Sequence, residues 1–261
     1  MPPVVSARWG GDVRFLLRNL LMKDFRIRYR NMSLGLGWSL ANPLVMMGVL
    51  TFVFTKVFPN PSSAHFPAFV LCGLVPFNFF SISWVTGTTS VVENANLIKR
   101  VRFPREIIPI STVLAQCLHF GIQLGLLFIL VLASGYRPKD ALAWLPLVIF
   151  FEVVFACGMA LLFSAINVYI RDTRYMVESA NTVLFWLVPI FYSFTIIPPQ
   201  FIEVYRFNPV AAVVMAFRNI LLENKAPAES LMLRLALVST LTLIIGLAAF
   251  RRLRRRFYDY L

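Results

Sequence analysis

The sequence contains little charge for its length. Lys, Arg, Asp and Glu make up 14% of its 261 residues, whereas 59% of the residues are hydrophobic. A soluble domain usually carries about 25% charged residues. The shortage of charge excludes a chain surrounded mainly by water, and the mean hydropathy of +0.74 indicates an integral membrane protein.

Residue types that support catalysis and metal binding are also scarce. The three cysteines, an odd number, lie in apolar stretches and indicate no disulfide framework. His65 and His119 have no Cys or carboxylate at ligand spacing, so no metal site is predicted. The sequence has no GxxxxGKS/T motif, which a P-loop needs in order to hold nucleotide phosphates. We therefore expect no catalytic residue and no cofactor in this chain.

Long uncharged stretches dominate the remainder. A bilayer core about 30 Å thick requires roughly 20 helical residues for each crossing. The sequence accordingly predicts an all-α integral membrane protein with six transmembrane helices in a single domain, residues 1–261. The predicted spans lie at about 37–58, 66–92, 107–135, 143–170, 179–197 and 231–250.

Two other segments are predicted to be helical without crossing the membrane. Residues 11–30 alternate charge and apolar bulk at helical spacing, which is typical of an amphipathic helix on the membrane surface. Within 198–230 the apolar part is too short for a crossing, so we expect two short re-entrant outer helices, the second starting at Asn208-Pro209. Bent backbone at membrane depth is tolerated only beside protein or water, which predicts a gate nearby.

Glu152 is the one carboxylate well inside a predicted span. An acid at membrane depth is a candidate functional residue. Two interpretations remain open: a structural pairing, for example with Arg218, or direct handling of substrate or protons.

The cations predict the orientation. Of 25 Lys and Arg residues, seven precede the first span, four lie between the second and third, two between the fourth and fifth, and five follow the sixth. Cations concentrate on the cytoplasmic side of membrane proteins. Both termini are therefore predicted to be cytoplasmic.

Two features have more than one interpretation. The 25 Phe, 8 Tyr and 5 Trp residues are typical of packing and lipid contact, but flat rings also offer a sugar polymer a weak, sliding platform. The loop 93–106 carries four cations among apolar residues. It either anchors to anionic headgroups or forms a small helix that docks against a partner.

A series of short motifs follows in order along nearly the whole chain. They are Arg28-Tyr29-Arg30, the run from Ser33 to Trp38, Asn42-Pro43-Leu44, the run from Asn94 to Lys99, Phe103-Pro104-Arg105, Arg171-Asp172 and Asn208-Pro209. In order and spacing this series resembles that of ABC-2 type polysaccharide export permeases.

The resemblance implies a homodimer in the bacterial inner membrane, with a channel between the two copies. It also implies two copies of a separate ATPase that binds ATP and Mg, and no nucleic acid. The implied substrate is a polysaccharide on a polyprenyl-pyrophosphate lipid. Residues 11–30 would form the interface helix against the ATPase, and spans one and five would line the channel.

The resemblance also assigns site residues. Channel residues would be Trp38, Phe185, Trp186, Phe191 and Tyr192, and the entrance gate would be Ser33, Leu34, Gly35, Leu36 and Gly37. Coupling to the ATPase would use Asp24, Arg26, Asn94, Leu97, Ile98, Lys99, Phe103 and Pro104. The outer gate would include Pro199, Asn208, Pro209 and Arg218. Arg28, Arg30, Arg100 and Arg102 are candidates for pyrophosphate, since guanidinium groups match its oxygens, although anchoring to anionic lipid explains them equally.

Two alternatives remain open. An ABC-2 permease could instead move a small lipophilic drug or a free lipid. A membrane-embedded transferase could use the polyprenyl lipid as its substrate, but it would need clustered acids at the cytoplasmic mouth. Only Asp172 lies in a short predicted cytoplasmic loop, with Glu93 and Glu106 at the ends of another, a pattern typical of salt bridges at helix turns.

The gate assignment gives a test. We expect Gly35→Val, which adds bulk to a tight turn, and Trp186→Ala, which removes a channel ring, each to block glycan export while subunit assembly is preserved. Surface glycan measured in cells that carry each variant checks this. Unchanged surface glycan in both variants would refute the assignment.

Overall fold

The described part of the chain is helical. The computed structural model describes residues 13–29, 37–57, 65–101 and 103–261, and these ranges contain no strand. The helices are α1 (Val13–Tyr29), α2 (Gly37–Phe52), α3 (Phe66–Glu93), α4 (Ala95–Arg100), α5 (Ile107–Ala133), α6 (Leu145–Tyr169), α7 (Thr173–Leu187), α8 (Ile202–Phe207), α9 (Pro209–Leu221), α10 (Glu229–Leu253) and α11 (Phe257–Tyr260). The predicted all-α class is confirmed.

Five helical segments within the described ranges are long and apolar enough to cross a membrane. They are Leu40–Val57, Phe66–Glu93, Ile107–Ala133, Asp140–Tyr169 and Glu229–Arg256. These segments overlap the first, second, third, fourth and sixth predicted spans. The fifth predicted span, 179–197, is not among them, so a crossing there, and with it the total of six, stays a prediction.

The predicted fifth span, 179–197, is helical only in its first half. Helix α7 ends at Leu187, and Val188 is extended at φ −71° and ψ 134°. The cause is Pro189, because a proline disfavours helical backbone in the residue before it. Fifteen residues rise about 22 Å as a helix, which is less than the thickness of the bilayer core.

Helix α3 lies at the centre of the bundle. It packs against α2, α5, α6, α7 and α9. Apolar residues on all sides of this helix are buried against its neighbours, and Leu71, Leu74 and Phe80 are almost completely buried. The amphipathic α1 packs against α5. Leu20 in α1 is buried, while Arg14 and Arg18 are exposed, as the alternating pattern predicts.

Helices α6 and α10 approach each other most closely at two glycines. A Cβ atom on Gly158 would lie 2.6 Å from the backbone nitrogen of Leu243, and one on Gly246 would meet the carbonyl oxygen of Gly158. Between membrane helices, packing rather than water exclusion drives association, so small residues are needed where backbones touch.

This close contact gives a prediction about stability. We expect Gly246→Ala to push α6 and α10 apart and to cost about 1–3 kcal/mol of unfolding free energy, a typical cost of overpacking. Thermal unfolding in detergent micelles measures it.

Gly121→Ala is the matched control. A Cβ atom at Gly121 in α5 meets nothing within 4 Å. Alanine there gains about 1 kcal/mol in helix propensity. Equal unfolding temperatures for the two variants would contradict the packing argument.

Candidate functional site

The backbone break after α7 is held by side chains from other segments. Ile190 N–H donates to the Val188 carbonyl (2.7 Å), and the Tyr192 hydroxyl donates to the Leu187 carbonyl at the helix end (2.6 Å). Arg218 of α9 donates through Nη2 to the Ile190 carbonyl (2.6 Å) and through Nη1 to the Tyr192 carbonyl (3.4 Å). The break therefore exposes few unpaired carbonyls.

Arg218 is fixed by its surroundings as well as by these bonds. Its side chain is buried, and its guanidinium carbon lies 3.5 Å from the centre of the Phe69 ring, a cation–π contact with α3. Gly73 of α3 lets the broken segment approach, because a Cβ atom there would lie 3.0 Å from Cα of Ile190. Residues 198–230, which we call the outer segment, therefore pack together with α3 and the break.

Arg218 does not pair with Glu152, so the suggested structural pairing of these two residues is wrong. Arg218 is oriented towards the carbonyls of the break and donates its hydrogen bonds there. Glu152 is buried in α6, and its Oε2 atom lacks a hydrogen-bond partner among those residues.

Four predicted channel residues form a continuous row of ring contacts. Phe185 and Trp186 lie 5.5 Å apart between ring centres, Trp186 and Phe191 5.5 Å, and Phe191 and Tyr192 5.3 Å. Trp186 is 60% exposed, whereas Phe191 is buried and stacks on Phe54 at 5.1 Å. The row therefore runs from the surface of α7 into the protomer core. The side chain of Trp38, the fifth predicted residue, lies outside the described residues.

One face of α7 is exposed and mixed in character. Tyr175, Ser179, Thr182 and Trp186 follow at intervals of three or four residues, so they share this face, and all four are exposed. The opposite face is attached to α3, where Asn181 donates to the Ser81 hydroxyl (2.7 Å). We call the four exposed residues the α7 face.

Helix α10 shows what a lipid-facing surface of this chain looks like. Its large exposed side chains away from the helix ends are aliphatic, namely Leu233, Leu237, Leu241, Ile244 and Ile245, and Thr240 is exposed among them. The α7 face instead presents hydroxyls and aromatic rings. Exposed aliphatic residues of α7, namely Met176, Val183 and Leu187, lie beside this face, so the exposed surface of α7 is more polar than that of α10 only along one stripe.

The outer segment contains the two predicted short helices. Asn208 caps α9, because its Oδ1 accepts hydrogen bonds from the N–H groups of Val210 (3.0 Å) and Ala211 (3.4 Å), and Pro209 occupies the first helical position. Pro199 is exposed in the turn before α8. The location of these helices relative to the bilayer stays a prediction.

A cavity of about 520 Å³ lies between the break and this segment. Its walls include Leu187, Ile197, Phe201, Tyr192, Tyr205 and Asn208. The hydroxyls of Tyr192 and Tyr205 lie 3.3 Å apart at its edge, so an apolar space with a small polar group adjoins the outer end of α7.

At the other end of the bundle, the predicted coupling residues of the first loop lie in or beside α4: Leu97, Ile98 and Lys99 belong to this helix, Asn94 precedes it, and Phe103 and Pro104 follow it. Asn94 accepts a hydrogen bond from Lys23 Nζ of α1 (2.5 Å), which joins the two segments expected to meet an ATPase. Ile98 is buried, whereas Lys99 and Arg100 are exposed. Leu97 and Phe103 are half-buried and Pro104 is exposed.

Several predicted residues fall outside what the structure describes. Arg30, Ser33, Leu34, Gly35, Leu36 and Arg102 lie outside the described residues, and so do the side chains of Asp24, Arg26 and Arg28, whose backbones belong to α1. Gly37 is the first residue of α2. The assignments of these residues stay predictions.

The sequence analysis missed three residues beside α4. Glu106 accepts a hydrogen bond from Arg254 Nη1 (2.5 Å), and the Tyr258 hydroxyl donates to the Ile98 carbonyl (3.3 Å). A carboxylate at the start of one span and five arginines at the end of another, both predicted to be cytoplasmic, were a usable signal. The described residues contain no group of three or more His, Cys, Asp and Glu that could hold a metal ion.

Comparison with known proteins identifies relatives over most of the chain. The family model for ABC-2 type transporters matches residues 16–222. An O-antigen export system permease protein RfbA of Klebsiella pneumoniae is 30% identical over 247 residues, which is 94% of this chain and 95% of that protein. The RfbA protein of Myxococcus xanthus is 28% identical over 248 residues, again 94% and 95%. The polysialic acid transport protein KpsM of Escherichia coli is 25% identical over 255 residues, 94% and 96%.

The contacts of Arg218 give the prediction for this site. We expect Arg218→Met to leave the buried carbonyl of Ile190 and the partly buried carbonyl of Tyr192 without this donor, which costs about 1–3 kcal/mol for the buried group, and to lower both thermal stability and export. Arg218→Lys should retain part of the stability, since an ammonium group donates hydrogen bonds but lacks the planar fork.

Lys225→Met is the matched control, because Lys225 is an exposed cation beyond the same helix. Thermal unfolding and surface glycan are measured for the three variants. The argument fails if Arg218→Met unfolds at the same temperature as Lys225→Met.

Proposed function

The chain belongs to the ABC-2 type transporter family, and we propose that it is the membrane subunit of an ATP-driven exporter for a lipid-linked polysaccharide. The observation that carries the proposal is the extent of the similarity. Relatives named for O-antigen export and polysialic acid transport match 94% of the chain, so the likeness covers both ends of the bundle rather than one motif.

The translocation path runs between two copies of the chain, along the α7 face. Tyr175, Ser179, Thr182 and Trp186 combine hydroxyls with flat rings, a combination that contacts a sugar without gripping it. In one described protomer this face is exposed, although its hydroxyls gain nothing from acyl chains. A second copy that presents the same face would enclose a path lined on both sides.

Six crossings accommodate this arrangement. Helix α7 and the broken segment after it together form the fifth crossing, and the helices of 198–230 re-enter from the outer side. Both termini are then cytoplasmic, in agreement with the distribution of cations. Because α7 alone is too short to cross, the break lies at membrane depth, where its carbonyls need the donors described above.

The lipid end of the substrate enters at the cytoplasmic side. A pyrophosphate there requires paired cations, and the candidates are Arg28 and Arg30 after α1, with Arg100 and Arg102 at the first loop. The exposure of Arg100 supports this role. Residues 33–37 would form the gate between these cations and the path.

Energy comes from two copies of a separate ATPase that binds ATP and Mg. The hydrogen bond between Lys23 and Asn94 supports a shared docking surface, since it links α1 to α4. ATP binding would close the two ATPases and push both segments. The movement would open the path between the copies and, through the outer segment, the outer gate.

The first test concerns the substrate. We expect deletion of the gene to remove surface polysaccharide and to cause lipid-linked glycan to accumulate inside the cell. The wild-type chain should restore export only together with an ATPase that can hydrolyse ATP. Magnesium-dependent glycan transfer by the purified chain without an ATPase would contradict the proposal, and ATP-dependent movement of a drug or free lipid alone would favour the other permease class.

The same strains test the path. In a background without the native cysteines, Ser179→Cys should react with a water-soluble maleimide, and the modification should block export, because thiolates react only where water reaches them. Leu241→Cys on the aliphatic surface of α10 is the matched control and should remain unmodified. Equal labelling of the two positions would exclude a water-filled path along α7.

A further inference from the structure

The end of the chain lies against the loop that contains α4. Helix α10 continues through a helical turn at Arg254–Arg256 into α11, and we call residues 251–261 the C-terminal segment. This segment contacts both ends of the loop 94–106. The contacts join residues about 150 positions apart in sequence, so only the fold creates them.

Five contacts connect the two segments. Glu106 Oε1 accepts from Arg254 Nη1 at 2.5 Å and lies 3.6 Å from Arg251 Nε. Arg105 Nη1 donates to the Arg254 carbonyl (2.7 Å), and the Arg105 guanidinium carbon lies 4.3 Å from the centre of the Tyr258 ring. The Tyr258 hydroxyl then donates to the Ile98 carbonyl of α4 (3.3 Å).

A buried apolar cluster packs beside these contacts. Ile98 of α4 packs in the same buried group as Phe250 of α10, Phe257 of α11 and Val168 of α6. The Tyr169 hydroxyl donates to the Leu253 carbonyl (2.6 Å), which fixes the end of α6 to the end of α10. Helix α4 is therefore attached to the ends of both helices.

Helix α4 needs such support. It has six residues, and a helix of this length is not stable by itself. After it the chain is extended at Val101, so the backbone on that side does not brace it. Without the C-terminal segment, we expect a force from the ATPase on α4 to tilt this helix instead of moving α6 and α10.

The ion pair at Glu106 is suited to this task. The carboxylate is mostly buried, and its Oε2 atom has no hydrogen-bond partner among the described residues. A partly desolvated pair is less screened by water than a surface pair, and removal of one partner leaves an uncompensated charge. Loss of Arg254 would therefore leave the mostly buried Glu106 carboxylate with only the more distant Arg251 as a cation partner.

We propose that Arg254 and Tyr258 are positioning residues for α4. They clamp α4 to α10 and α6, so that a push by the ATPase on α4 moves these helices instead of the loop alone. This inference rests on the proposed function, in which α4 receives that push. The clamp acts on the coupling between ATP hydrolysis and export, and it touches neither the nucleotide nor the glycan.

The test measures coupling in the reconstituted complex of this chain with its ATPase. We expect Arg254→Ala to lower the amount of glycan exported per ATP hydrolysed about tenfold, the factor that one charge-assisted hydrogen bond contributes. The ATPase rate and complex assembly should remain at wild-type levels. Tyr258→Phe, which keeps the ring and loses the hydroxyl, should give a smaller loss of coupling.

Two further variants distinguish positioning from general structure. Arg254→Lys, which retains a cation for Glu106, should restore most of the coupling. Arg255→Ala removes an exposed arginine one residue further on and should leave coupling unchanged.

Three outcomes overturn the proposal. The clamp is excluded if Arg254→Ala and Tyr258→Phe both export as much glycan per ATP hydrolysed as the wild type. A parallel loss of ATPase activity or of assembly in Arg254→Ala indicates a structural role only, and an equal loss in Arg255→Ala indicates a general effect of charge. If the wild-type complex exports no glycan with ATP, the proposed function itself has failed.

Discussion

The fold depends on one requirement, that backbone carbonyls away from water have donors. Pro189 ends α7, so the carbonyl of Leu187 at the helix end and those of Ile190 and Tyr192 after it need donors from elsewhere. The Tyr192 hydroxyl donates a hydrogen bond to the Leu187 carbonyl, and the Arg218 guanidinium donates to the carbonyls of Ile190 and Tyr192. An unpaired buried carbonyl costs about 1–3 kcal/mol, so these donors allow a broken segment that would otherwise be unstable in the bundle. The cavity and the outer helices are both arranged around it.

The two ends of the molecule are connected through rigid contacts rather than through loops. At the end of the bundle that contains α4, hydrogen bonds from Lys23 to Asn94 and from Arg254 to Glu106 join α1, the first loop and the end of α10. Gly158 and Gly246 bring α6 and α10 into backbone contact. Packed helices transmit displacement because their interfaces resist compression. Helix α4 is therefore connected to the bundle through packed helices as well as through the chain.

Much of the fold could be predicted from residue patterns. Five predicted spans coincide with helices, because long uncharged runs need no tertiary context to be recognised. The start of α9 at Asn208-Pro209 was also predictable, since capping is a local interaction. The end of α7 was not: the uncharged run continues past Pro189 to residue 197, and hydropathy alone does not distinguish a helix from a broken segment.

The sequence by itself determined the membrane setting, the helical class and, through its motifs, the family. These properties depend on composition and on neighbours within a few residues. Only the tertiary structure decided that Arg218 contacts carbonyls and not Glu152, that the α7 face is exposed, and that Tyr258 reaches Ile98. The hydrogen bonds of Arg218 and Tyr258 join residues 26 to 160 positions apart, and a pattern in sequence does not fix which donor meets which acceptor.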